Sequence, residues 1–216
     1  MIGLSIKSNQ HFTSSGGLFA LVVKCLFAIA VYGFLLSSFG SRAMEIQFAS
    51  SDKLTPARIS NDSVMGGISS SQIEINHSAT TKADINSSGH VHFSGQVSLE
   101  NNGGFASMEY QITSSIPATK QVKLTVLGDG KQYQLRFKTS ELSFGEAYVA
   151  NFETTKGQVT EHLFSQTDFA AQFRGRSINA PTIEFNNVNR VGFLIANKQA
   201  GAFSLQLDSI EFEEHD

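Results

Sequence analysis

The side chains able to do chemistry gather in a few short runs. Asn61-Asp-Ser-Val-Met-Gly-Gly67 sets a carboxylate and a hydroxyl, Asp62 and Ser63, beside Met65 and the pair Gly66 and Gly67. Such side chains bond the backbone N–H groups of tight turns, and a Gly pair permits positive φ or close backbone approach. The run reads either as a loop that contacts a ligand or partner, or as a turn that feeds a strand. Ser98-Leu-Glu-Asn-Asn-Gly-Gly-Phe105 packs Glu100, Asn101, Asn102, Gly103 and Gly104 into one bend. It either places polar groups around a ligand or satisfies its own backbone. Phe173-Arg-Gly-Arg176 is a small basic island, and Arg174 and Arg176 could clamp a carboxylate or phosphate, or pair with nearby acids. His90 and His92 bracket Val91, so a strand turns both rings to one face. That geometry can chelate a metal, but spacing supplies no third ligand, although His77, His162 and Asp84 could approach in space. The expectation is a solvated strand face and no metal.

Patterns for covalent or phosphate chemistry are missing. There is no Gly-x-Ser-x-Gly elbow, no His-Glu-x-x-His and no phosphate loop. Glu141 and Glu146 could hydrolyse a glycoside only if the fold set their separation. Gly128-Asp-Gly130, followed by Lys131, Tyr133 and Arg136, lacks the third Gly and the following helix of a dinucleotide fingerprint, and reads as a hairpin turn. The expectation is no catalytic residue and no cofactor.

Positioning these runs requires strands. Ile73 and Ile75 alternate with polar neighbours, as do Val91 and Phe93, Val97 and Leu99, Val122, Leu124 and Val126, and Tyr133, Leu135 and Phe137. Phe203, Leu205 and Leu207 alternate near the end, and Ile210 and Phe212 continue. Val191 to Ala196 is continuously apolar, as in a central strand covered on both sides. Turn clusters separate the runs, and Ser165 to Phe173 has room for one helical turn at most. Many short strands and no long 3.6-residue period predict an all-β protein, a two-sheet sandwich with one face of each sheet in the core.

Length and composition agree. The chain has 216 residues, a charged fraction of 16%, a hydrophobic fraction of 41%, one Cys and no Trp. That suffices for one packed domain and leaves no disulfide framework. A net charge of −3 argues against a nucleic-acid partner held by phosphate neutralisation. From Leu18 to Phe39 the chain is apolar except for Lys24 and small polar residues, and Ser41-Arg-Ala43 offers small residues at the first and third places. Residues 1–43 therefore read as a signal peptide cleaved after Ala43, or as an uncleaved membrane anchor through residues 18–39. Either way the 44–216 domain is exported, to a periplasmic or extracellular place or to the outer side of a membrane. The leader holds the sole Cys, Cys25.

Taken in order, several runs resemble one family. They are Asp62-Ser-Val-Met-Gly-Gly-Ile-Ser69, Phe93-Ser-Gly95, Ser98 to Ser107, Gly128-Asp-Gly130 with Tyr133 and Arg136, and Tyr148 to Thr154. Asp168-Phe169, Phe173-Arg-Gly-Arg176, Gly192 to Ile195, and Lys198-Gln-Ala-Gly201 with Phe203 follow. The ordered set resembles the complex I intermediate-associated protein family from about residue 45 to 213. Two positions depart from it: no Trp precedes the Met-Gly-Gly run, and Glu109 stands where the family often has Arg. The resemblance implies a galactose-binding-like jelly-roll sandwich. It also implies a non-catalytic assembly or chaperone role on a membrane complex of the respiratory NADH:ubiquinone oxidoreductase kind. A protein partner is therefore the first expectation. A small-ligand or carbohydrate-binding module on the same fold is the second. The candidate contacts are the loops around Asp62–Gly67 and Glu100–Gly104, with Arg136, Arg174, Arg176, Lys198 and Gln199.

Overall fold

A computed structural model describes residues 43–77 and 89–213. The apolar leader, Asp84 and the last three residues lie outside the described residues. Thirteen strands form, in chain order β1 (Met44–Gln47), β2 (Arg58–Asn61), β3 (Ser70–Asn76), β4 (His90–Val97), β5 (Ala106–Gln111), β6 (Gln121–Leu127) and β7 (Gln132–Thr139). They continue as β8 (Glu146–Glu153), β9 (Val159–Ser165), β10 (Ala170–Phe173), β11 (Arg176–Ser177), β12 (Val188–Ile195) and β13 (Gly201–Glu213). Among the described residues there is no α-helix, only single 3-10 turns.

The strands make two antiparallel sheets. One runs β3-β4-β13-β6-β9, with β1 also paired to β13; the other runs β11-β10-β8-β7-β12-β5-β2. The expected sandwich is what forms, because each strand offers one apolar row. Tyr133, Leu135 and Phe137 of β7 are fully buried, as are Val122, Leu124 and Val126 of β6 on the facing sheet. Phe137 lies 5.1 Å from Phe169 and 6.1 Å from Phe212, ring centre to ring centre, tying the two sheets through aromatic contacts.

The phase of β13 slips between Leu207 and Ile210, which are three residues apart yet both buried. A bulge at Asp208 explains it: the pairing with β6 shifts register between Leu207 and Ser209, which turns Ile210 and Phe212 back into the core. β12 is central, as its composition predicts, with Val191, Phe193 and Ile195 in the core. Its other face carries Gly192 and the half-buried Leu194.

Gly128-Asp-Gly130 is not a hairpin. It joins β6 to β7, which belong to different sheets, so the chain crosses the sandwich at this bend. Asp129 holds the crossing by accepting from the N–H groups of Lys131 at 3.0 Å and Ser204 at 2.9 Å. Local turn chemistry serves a crossing as well as a hairpin; which sheet the next strand joins is decided by the core. The stretch from Ser165 holds one 3-10 turn, Gln166–Asp168, with Ser165 and Asp168 forming a capping box.

Candidate functional site

The two Gly-rich loops meet. One links β2 to β3 and the other links β4 to β5, and both cross between the sheets at the same end of the sandwich. The joint is the carboxylate of Asp62, which is completely buried. Its Oδ1 accepts from the Ser69 N–H at 2.9 Å. Its Oδ2 accepts from the Ser69 hydroxyl at 2.5 Å, the Gly104 N–H at 2.6 Å and the Phe105 N–H at 3.2 Å. Asn101 adds a second tie, donating from Nδ2 to the Gly66 carbonyl at 3.2 Å. Burial opposes ionisation of Asp62, but the Ser69 hydroxyl and the Gly104, Ser69 and Phe105 amides outweigh it and hold the carboxyl below its usual value. Asp62 is therefore a clamp, with its acceptor capacity spent inside the protein.

Gly67 and Gly103 press directly on that clamp. A Cβ at Gly67 would lie 2.4 Å from the Asp62 Cγ, and one at Gly103 would lie 2.6 Å from Oδ2. Gly67 is thus required by close approach, not by the positive φ that a Gly pair suggests; its neighbours Gly66 and Gly104 are the ones at φ +91° and +133°. Gly67→Val is expected to fail to fold or to melt at least about 6 °C lower, since the added side chain must displace the carboxylate. Thermal unfolding followed by circular dichroism checks this, and a wild-type midpoint would contradict it.

What the clamp presents is apolar. Val64, Met65, Ile68 and Leu99 are 73%, 59%, 54% and 43% exposed on the clamped loop pair. A shallow groove runs past Ile68, Ser98, Leu99 and Glu100 to Ala200 and Gly201 in the β12–β13 crossing. That crossing holds Lys198, exposed at φ +57°, and Gln199. Gln199 is structural: Oε1 accepts from the Gln132 N–H at 3.0 Å, and Nε2 donates to the Gln132 carbonyl at 2.8 Å.

The arginines do not join this surface. Arg136 lies mid-sheet on β7, on the face turned away from the core. Arg174 and Arg176 lie beyond the opposite end, where Phe173 pairs with Glu146 at the start of β8. Arg174 and Gly175, at φ +49° and +77°, form the two-residue turn of a hairpin, and the Arg174 guanidinium stands 5.3 Å over the Phe173 ring. Among the described residues neither Arg174 nor Arg176 pairs with a carboxylate within 4.0 Å. His90 and His92 share a face, where the His90 ring meets Asn76 at 3.2 Å and the His92 ring meets Ser204 at 2.8 Å. No group of three potential metal ligands gathers among the described residues. Glu141 and Glu146 each accept a hydrogen bond, from Asn187 and from the Ser143 amide.

The fold is that of the carbohydrate-binding-module type of β-sandwich. It superimposes on a family 11 carbohydrate-binding module of the cellulosomal cellulase Lic26A-Cel5E of Clostridium thermocellum, at TM-score 0.55 and 12% identity, over 83% of this chain and 97% of that one. A family 11 module of Clostridium thermocellum in complex with a beta-1,3-1,4-mixed-linked tetrasaccharide gives 0.54 and 14%, over 83% and 100%. A family 30 carbohydrate-binding module gives 0.50 and 11%, over 79% and 99%. A family model narrows this: Complex I intermediate-associated protein 30 (CIA30) matches residues 46–207, and the chain belongs to that family. No curated protein sequence matches the chain.

Proposed function

We propose that this chain is a non-catalytic protein-binding module that docks on subunits of a membrane complex, of the NADH:ubiquinone oxidoreductase kind, during assembly. Its leader carries the domain across a membrane, so it works on the outer side. The observation that carries this reading is the apolar set Val64, Met65, Ile68 and Leu99, held out in water by loops locked from beneath by one buried carboxylate. Rigid, exposed apolar side chains at a surface rimmed by polar groups are what protein interfaces bury first. Family membership supplies the class of partner.

The sandwich's likeness to carbohydrate-binding modules favours a second reading, binding of a glycan. Sugar faces stack on aromatic rings, and here Tyr110, Tyr133 and Tyr148 are all in the core. Two measurements separate the readings, one on solubilised membranes and one on the purified full chain. Native-gel analysis of solubilised membranes is expected to show it co-migrating with an assembly intermediate. Calorimetry with the mixed-linked tetrasaccharide is expected to give no heat of binding. Micromolar binding of that sugar, with no co-migration, would put the glycan reading first.

A further inference from the structure

The outer face of the seven-stranded sheet is a second polar surface, built from register alone. Arg58 of β2 lies opposite Glu109 of β5, Glu109 opposite Gly192 of β12, Gly192 opposite Arg136 of β7, and Arg136 opposite Val149 of β8. The row beside it holds Arg190 and Lys138, paired across the same strands. Four of the chain's 16 Lys and Arg therefore share one sheet face, in a protein whose net charge is −3.

The charges on this face are unequally satisfied. Glu109 is the acid at its centre, and both its oxygens are taken, Oε2 by Lys138 Nζ at 2.5 Å and Oε1 by Arg190 Nη1 at 2.8 Å. Those two cations hold the Glu109 carboxyl below its usual pKa, against the effect of burial. Arg136 has no such pairing: among the described residues its guanidinium forms no ion pair within 4.0 Å, and its one hydrogen bond goes from Nη1 to Gln134 Oε1 of its own strand at 3.2 Å. It is half-buried beside Val149, which is 3% exposed. Burial pushes its pKa down and the charge of Glu109 pushes it up, with burial the larger effect. Between Arg136 and Glu109 in this row stands Gly192, which contributes no side chain. A guanidinium fork that is partly desolvated and lacks a carboxylate is poised to take one from outside.

The geometry points to a binding site on this face for an acidic segment of a partner protein, with one carboxylate seated on Arg136 and the others met by Arg58, Lys138 and Arg190. Charge complementarity selects the occupant: a face that carries four cations against the one paired carboxylate of Glu109 attracts an acidic chain. Gln134 and Asn151, in the next row, offer amide groups to a peptide backbone. The inference rests on the protein-binding reading for the class of partner, and on none of the loop residues for its site.

The probe is a fluorescently labelled decaglutamate peptide, titrated with the purified full chain at low salt and read by anisotropy. Binding is expected to weaken steeply with added salt, and Arg136→Ala to weaken it about tenfold. Arg136→Lys should recover part of the loss, because it restores charge without the fork. Arg58→Ala, on an exposed edge position, should cost a few-fold with an unchanged melting temperature. Lys198→Ala should change nothing. Absence of binding, or equal losses for Arg136→Ala and Lys198→Ala, would overturn the proposal. Tighter binding of polygalacturonate than of decaglutamate would overturn it in favour of an acidic polysaccharide, and salt-sensitive self-association abolished by Arg136→Ala would overturn it in favour of a second copy. Decaglutamate binding without any partner at the loops, or the reverse, separates this surface from the first.

Discussion

Asp62→Ala is expected to destabilise the domain by on the order of 3 kcal/mol, because the amides of Ser69, Gly104 and Phe105 would lose their acceptor at once. For a domain of this size that lowers the melting midpoint by about 6–12 °C. Asp62→Asn should fall between. Its single carbonyl oxygen can replace Oδ2, which serves three donors, but its NH2 group then faces the Ser69 amide, donor against donor. The pH dependence follows from the same bonds. Asp62 is held below its ordinary pKa, so its contribution is full above about pH 4, the unfolded value, and is lost as pH falls through the folded value. The stability difference between the wild type and Asp62→Asn, measured by urea unfolding across pH, should shrink below about pH 4. A constant difference down to pH 2 would show that the carboxylate is not the clamp.

The second large effect is on binding, with the fold left intact. Met65→Asp combined with Ile68→Asp is expected to weaken capture of the membrane-complex partner at least about a hundredfold, since each change replaces an apolar anchor with a charge that must be desolvated. Both side chains are more than half exposed, so the melting temperature should stay within about 2 °C of wild type. Co-purification with solubilised membranes, paired with thermal unfolding of the same preparation, reads both quantities. Undiminished capture would show that the partner does not sit on these loops.

Much of the fold was legible in the residues, and the reason is local. In β7 the alternation of Tyr133, Leu135 and Phe137 needs only the two-residue repeat of a strand to assign a core face. The bulge at Asp208 is not part of that reading, which runs Ile210 and Phe212 on from Leu207. The site was legible in pieces. Asp62 and the Gly103–Gly104 bend each stood out as loops, yet the bond from the Gly104 amide to Asp62 joins positions 42 apart and no spacing rule reaches that far. The same limit hides Leu99, which reads as a strand residue until the crossing turns it outward. The basic sheet face was hidden more completely. Arg58, Glu109, Arg136 and Arg190 come from four strands, and only the register between those strands brings them together. Residue type groups Arg136 with Arg174 and Arg176, whereas Arg136 lies mid-sheet on β7 and the other two lie at the β10–β11 turn past the end of β8.

In the proposed function, a partner protein sits on the clamped end of the sandwich. A photo-crosslinking amino acid placed at Met65, in the full chain expressed in its own cells, tests it directly. A second placement at Leu163, which is 57% exposed on β9, is the comparison. Illumination is expected to join Met65 to one subunit of a membrane complex and to leave Leu163 without that product. Identical products at the two positions, or none at Met65, would contradict it.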